Sequence, residues 1–210
     1  MNIESIINGL WDYKWDISTD PSKDLEASTL LLENDELVFS RFPTDIYTLD
    51  RYPFQIVDNR KFEESNIFYE KSLENKNLAD VYKKEEEKFI RVFQILWSNS
   101  SVYIETTLQY KNIESIITAV SDEAKKNRIR DLHNKLSSRN ENMLEIQDFI
   151  DLQLLLELGL REQVSSVFIF ETIKLCIWSN FDLNMPIYSG SKSNTELLRL
   201  ICTTEGLYLR

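Results

Sequence analysis

Glycine and proline are scarce, with four of each in 210 residues. Sandwiches, propellers and other folds with many tight turns draw on both residue types, so their scarcity argues against those architectures. Gly9, Gly159, Gly190 and Gly206 stand alone in the chain. Neither the G-x-G-x-x-G nor the G-x-x-x-x-G-K-[ST] phosphate cradle therefore exists. Histidine occurs once, at His133, which rules out H-E-x-x-H, a His-rich zinc site and a two-histidine acid/base pair. The two cysteines, Cys176 and Cys202, are too few and too far apart for a zinc knuckle or a C-x-x-C pair. They read as buried thiols of a reducing compartment, with a single disulfide as the alternative. No apolar run nears the roughly 18 residues of a membrane span, and Met1-Asn2-Ile3-Glu4 lacks the basic and apolar regions of a signal peptide. The expected location is cytoplasmic, without membrane contact, and neither cofactor nor metal is expected.

What the chain does have is acid. It carries 35 Asp+Glu against 24 Lys+Arg, a formal net charge of -11, at an ordinary 42% apolar content. A chain of this length buries roughly 70% of its extended surface without staples. The excess is uneven: residues 1–60 hold 12 acids and 5 bases, residues 141–210 hold 10 and 5, and residues 101–140 reverse the sign with 5 and 7. The reversal comes from a basic island at Lys125, Lys126, Arg128, Arg130, Lys135 and Arg139.

Periodicity assigns the elements. Ile3, Ile6, Ile7, Leu10 and Trp11 follow helical spacing, after which Trp11, Tyr13, Trp15 and Ile17 alternate with polar residues as in a half-buried strand. Leu30–Glu33 and Glu36–Phe39 flank Asn34-Asp35, the pattern of a hairpin. Tyr52–Val57 reads as a further strand, held to an edge by Pro53. From about Asn77 the spacing is helical, with Leu78, Val81, Tyr82, Phe89, Val92, Phe93 and Leu96 on one face, Glu86 and Glu87 elsewhere, and Glu87 paired with Arg91. Val102, Ile104, Thr106, Leu108 and Tyr110 alternate like a strand, with a lead into the next helix as the alternative. Ile113–Val120 and Ile129–Leu136 are helical stripes, residues 143–158 an all-round apolar helix, and Val164–Ile177 a second buried helix. Ser193 and Glu196 form a capping box for a last helix that Gly206 terminates. The expected fold is α+β: one domain over 1–210, in which a small N-terminal antiparallel sheet (1–60) packs on a predominantly helical body (76–205).

One segment carries a catalytic pattern. Arg128-Ile129-Arg130-Asp131-Leu132-His133 resembles the R-x4-6-H motif of the HEPN superfamily of all-helical ribonucleases, although an apolar Ile129 directly after the arginine departs from the family habit. The resemblance implies a metal-independent ribonuclease in which Arg128 clamps the scissile phosphate and His133 shuttles a proton, both repeated across a dimer. Nucleic acid is an expected partner only on that reading. Glu86-Glu87-Lys88 satisfies E-x-K but lies in the clearest helix, and a Cys176–His133 nucleophile pair places its thiol in apolar surroundings that disfavour the thiolate.

Net negative charge opposes general binding to nucleic acid or anionic membranes, because phosphate neutralisation supplies most of that affinity. It suits a basic protein partner. The leading expectation is a non-enzymatic, acidic protein-binding protein of the immunity, antitoxin or inhibitor kind. Asp12, Asp16, Asp20, Glu33, Asp35 and Glu36 are its candidate contact residues, the last three at the hairpin tip. The aromatic N-terminal segment, Trp11, Tyr13 and Trp15 with Tyr47 and Tyr52, serves such a surface or the core.

Overall fold

Strands that are buried on both faces cannot alternate polar with apolar residues, and such strands form the centre of this protein. A computed structural model describes Leu32 and residues 35–118, 120–138, 143–179 and 183–210. Among them are seven strands of one antiparallel sheet: β1 (Ile46–Asp50), β2 (Val102–Thr106), β3 (Met143–Ile146), β4 (Ser166–Phe170), β5 (Leu175–Trp178), β6 (Asn184–Ser189) and β7 (Tyr208–Leu209). Their order across the sheet is β3-β2-β4-β5-β6-β1-β7. Within the first sixty residues only β1 belongs to it among the described residues, so the expectation of a small N-terminal sheet on a helical body is overturned. The sheet runs through the chain and the helices pack on it.

Eight helices accompany it among the described residues: α1 (Asp35–Arg41), α2 (Asn59–Ser65), α3 (Tyr69–Glu74), α4 (Lys76–Trp97), α5 (Ile113–Thr118), α6 (Glu123–Ser137), α7 (Phe149–Leu160) and α8 (Lys192–Thr204). The expected helix over Val164–Ile177 is instead the β4–β5 hairpin. Every residue of both strands is buried, so apolar side chains on both faces imitate a buried helix in sequence. The chain reverses at Glu171–Lys174, where Lys174 takes φ 53 and donates its amide to Glu171 O at 3.3 Å. The apolar run from 143 likewise splits into β3 and α7, because the Asp148 side chain accepts the Ile150 amide and caps a new helix.

Other differences are local. The expected hairpin around Asn34-Asp35 is excluded by α1, whose first turn holds Asp35 and Glu36, a favourable place for carboxylates beside free amides. Tyr52–Val57 adds no strand. Arg51 is buried there, donating to Ser65 O at 2.7 Å and Asn66 Oδ1 at 2.9 Å and lying over the Tyr52 ring. The last helix is capped at Ser191, one residue before Lys192, so the Ser193/Glu196 box does not form. Gly206 does end it: at φ 77 it lets the Leu207 amide reach back to Cys202 O at 2.8 Å. Arg91 pairs with Glu205, at 2.5 Å, in place of Glu87. The elements expected over 3–17 lie outside the described residues.

The main core lies between one sheet face and α4 and α7. Phe93 of α4 sets its ring edge-on against Phe168 and Phe170 of β4, at 5.0 and 5.7 Å between centroids. Each such fully buried ring stabilises the fold by roughly 1.5–3 kcal/mol. Helix α7 is buried from Leu154 to Leu160. Gly159 sits where the backbone approaches β5 so closely that a Cβ would lie 2.6 Å from Ser179 Cβ. On the other face, Phe39 and Phe42 of the α1 region meet Trp178 and Tyr188 edge-on, each at 5.2 Å.

Candidate functional site

Of the six residues expected to contact a partner, Asp12, Asp16, Asp20 and Glu33 lie outside the described residues. Asp35 and Glu36 open α1, where the Glu36 amide donates to Asp35 Oδ1 at 2.8 Å. They belong to a helix terminus, not to a turn between strands.

Helix α6 places Arg128 and His133 five residues apart, which at 3.6 residues per turn sets them about 140° apart around its axis. Arg128 faces α7: its Nε donates to Asp151 Oδ1 at 2.5 Å and its Nη2 to Asp148 Oδ2. Those hydrogen bonds, with Asp151 contributing most, hold the guanidinium pKa above its usual range. The Asp148 carboxyl is held below its own, first by the Ile150 amide and then by Arg128. A phosphate reaching Arg128 has to displace two carboxylates. The sheet, moreover, is not the all-helical fold that the HEPN resemblance implies.

Three further members of the basic island are similarly engaged. Lys125 Nζ meets both Glu157 oxygens at 2.9 and 2.7 Å, Lys126 pairs with Glu123 at 2.7 Å, and Arg130 donates to Asn127 Oδ1 at 3.1 Å. Glu157 is 4% exposed and also accepts from Gln153 at 2.7 Å. Next to it Arg161 grips Glu86 in bidentate fashion, Nε to Oε1 at 2.8 Å and Nη2 to Oε2 at 2.7 Å. The same Nη2 lies 3.6 Å from Glu157. A chain of charge thus runs from α6 through α7 to α4.

Burial raises the Glu86 pKa above the ordinary carboxylate value, and Arg161 only partly opposes this. Burial acts on Arg161 in the opposite direction, but the hydrogen bonds and charge of Glu86 outweigh it and hold the guanidinium above its usual range. Tyr82, whose hydroxyl donates to Leu160 O at 2.6 Å, is raised by burial and then by Glu86. This network was legible: Tyr82, Glu86, Phe89 and Phe93 share one helical stripe, so setting Glu86 off the apolar face was mistaken. Glu157 similarly interrupts an apolar run.

The remaining candidate chemistry is separated or quenched. Cys176 faces the α1 side of the sheet, whereas α6 and Cys202 pack on the main core, so Cys176 meets neither His133 nor Cys202. Both thiols are free and buried. Burial pushes Cys202 up to about 12 and Cys176 well above its ordinary value. Among the described residues no three His, Cys, Asp or Glu side chains converge as metal ligands. In the E-x-K segment Lys88 bonds Glu85, at 2.8 and 2.7 Å to its two oxygens, while Glu86 is held by Arg161.

A cleft of about 620 Å³ opens between α2–α3 and the turn after α7. Phe68, Tyr69 and Leu73 form its apolar lining, and Leu73 is 68% exposed. Carboxylates come from Glu63, Glu70 and Glu162, and cations from Lys71 and Arg161. The Lys71 ammonium lies over the Phe68 ring at 4.8 Å and the Arg161 guanidinium over Tyr69 at 5.7 Å.

Compared with protein-family models, with curated proteins and with solved structures, the chain finds no match in any of the three.

Proposed function

We propose that the chain is a non-enzymatic, cytoplasmic protein-binding protein of the immunity, antitoxin or inhibitor kind, whose acidic surface masks a basic partner. The observation that supports this reading is where its positive charge goes. Lys125 and Arg128 are bound to carboxylates of α7 or its cap, Lys126 to its own helix, and Arg161 to Glu86. The one basic stretch of the sequence is in large part consumed internally, in a chain of net charge -11. A negative field of this kind accelerates encounter with a positive surface and disfavours phosphate backbones.

The test is charge reversal of Asp12, Asp16, Glu33 and Glu36 to lysine, with the association rate measured against a partner captured from native lysate at several salt concentrations. The rate falls at low salt and its salt dependence flattens. Association that is indifferent to the four changes removes the proposal.

A further inference from the structure

We propose that a recess at the end of β1 binds a small monocarboxylate, whose two oxygens accept from Asn66 Nδ2 and Arg51 Nε. The recess, of about 160 Å³, is lined by Asp50 and Tyr52, by Ile56 in the following loop, by Phe62 of α2 and its C-cap Asn66, and by Arg210. Arg51 and Asn66 are 9% and 8% exposed, and each keeps one buried nitrogen, Nε and Nδ2, with no acceptor among the described residues. Donors shut away from water without a partner are rare and costly in folded proteins, and two in one cluster point to an acceptor that is not part of the chain. The orientation of the Asn66 amide is fixed by its neighbour. Its Oδ1 accepts from Arg51 Nη2 at 2.9 Å, and turning the amide over would set its hydrogens against the guanidinium. Nδ2 is therefore the end left with no acceptor.

Charge selects the ligand. Arg51 gives its Nη2 to two neutral oxygens, Asn66 Oδ1 and Ser65 O, and lies over the Tyr52 ring. It enters none of the ion pairs among the described residues. Asp50, next to it in the chain, is engaged at both oxygens: Oδ1 accepts the Tyr52 amide at 3.0 Å, and Oδ2 accepts from Arg210 Nε and Nη2 at 3.1 and 2.6 Å. Burial raises the Tyr52 pKa, and the charges that act on it after that are Arg51, Asp50 and Glu85. Glu85 is matched by Lys88, which meets both its oxygens. Arg51 and Arg210 against Asp50 therefore leave one positive unit, which one negative charge balances and a doubly charged anion overshoots. A carboxylate also offers two oxygens to two donors. Ile56 and Phe62 suit a short apolar tail, for which about 160 Å³ leaves room. A neutral ligand leaves the buried guanidinium without a counter-charge.

The experiment titrates the full, isotopically labelled chain with sodium propionate at constant ionic strength, following by NMR the Asn66 side-chain amide, the Arg51 Nε–H and the Tyr52 backbone amide. Propionamide is the neutral ligand of the same shape, and sodium sulfate the dianion. Propionate shifts the three resonances saturably, with a Kd of about 1 mM. Propionamide binds at least about tenfold more weakly. Asn66→Asp gives Arg51 a carboxylate from the chain itself and removes the donor, so propionate no longer shifts Tyr52 while Tm holds or rises. Arg51→Lys keeps the charge but loses the fork, and weakens binding about tenfold. Arg60→Gln, which removes an exposed cation of α2, changes it less than about twofold. Resonances that ignore all three compounds leave the two donors to water and overturn the site. So does equal binding of propionate and propionamide, or binding undiminished in Asn66→Asp. Sulfate bound more tightly than propionate overturns the carboxylate assignment. The acidic-binder reading is independent of the recess and stands or falls by its own test.

Discussion

Replacing Arg161 with methionine removes a charge from the middle of a network and keeps most of its packing volume. In the wild type, Arg161 satisfies both oxygens of Glu86, which is 4% exposed, and stands 3.6 Å from Glu157, also 4% exposed. Glu157 retains Lys125 and Gln153 after the change, but Glu86 keeps no bonded cation. Breaking a buried pair from one side costs about 3–5 kcal/mol, because the remaining charge stays desolvated. A chain of this size, with stability of about 5–15 kcal/mol, survives such a loss near its lower end. The pH dependence identifies the cause. Glu86 titrates above the ordinary carboxylate range even with its partner, and without Arg161 the value rises further. The folded state then binds a proton that the unfolded state has released, so stability falls as pH rises from the unfolded carboxylate value through the raised folded one. Urea denaturation from pH 4.5 to pH 8 should therefore show the deficit of Arg161→Met largest at pH 8 and shrinking on acidification. About 3 kcal/mol corresponds to roughly two further pKa units on Glu86. The companion Glu86→Leu/Arg161→Met pair recovers most of the loss. A deficit below about 1 kcal/mol at pH 8, or one constant across the range, refutes the assignment of Glu86 as a buried charge held by Arg161.

Three further outcomes follow from the same geometry. Gly159→Ala places a methyl 2.6 Å from Ser179 Cβ and lowers stability by roughly 1–3 kcal/mol by forcing α7 off the sheet, measurable as a drop in Tm. Cys176 and Cys202, free and buried with raised pKa values, react with an aromatic disulfide reagent only as the chain opens. Their labelling rates at pH 8 therefore follow urea-induced unfolding, and rapid native labelling of either contradicts its placement. RNA incubated with the protein in chelator remains intact, and remains so with His133→Ala, since Arg128 is held by Asp148 and Asp151; cleavage lost in that variant reinstates the ribonuclease reading.

How far the sequence could be read depends on which faces of an element are buried. Helix α4 was legible because its outer face is solvated: Lys83, Lys84 and Glu87 mark the exposed side as clearly as Phe89 and Phe93 mark the buried one. The strands β4 and β5 were not, because Val167 and Ile169 are as buried as Phe168 and Phe170. The β-branched and aromatic content of Val167–Phe170, together with a polar interruption at Glu171-Thr172, was the available signal and favours strand over helix. The hairpin at Asn34-Asp35 failed for another reason: the same acidic residues that tolerate turns also suit a helix N-terminus. At the candidate sites, the sequence identified an acidic chain with one basic stretch. It could not show that α7, whose Asp151 and Glu157 lie 23 and 32 residues beyond Arg128 and Lys125, returns carboxylates to that stretch.

Strand β1 is hydrogen-bonded on one side to residues 184–188 and on the other to residues 208–209. Beyond the ladder, Asp50 is gripped by Arg210, 160 residues away in sequence. Both flanks of this strand are therefore supplied by residues made more than a hundred positions later. On a ribosome, which adds about 5–20 residues each second, Ile46–Asp50 emerges and then waits roughly 7–32 s for its neighbours. Until residues 184–209 have emerged, a nascent copy exposes that strand's edges to whatever else the cell offers.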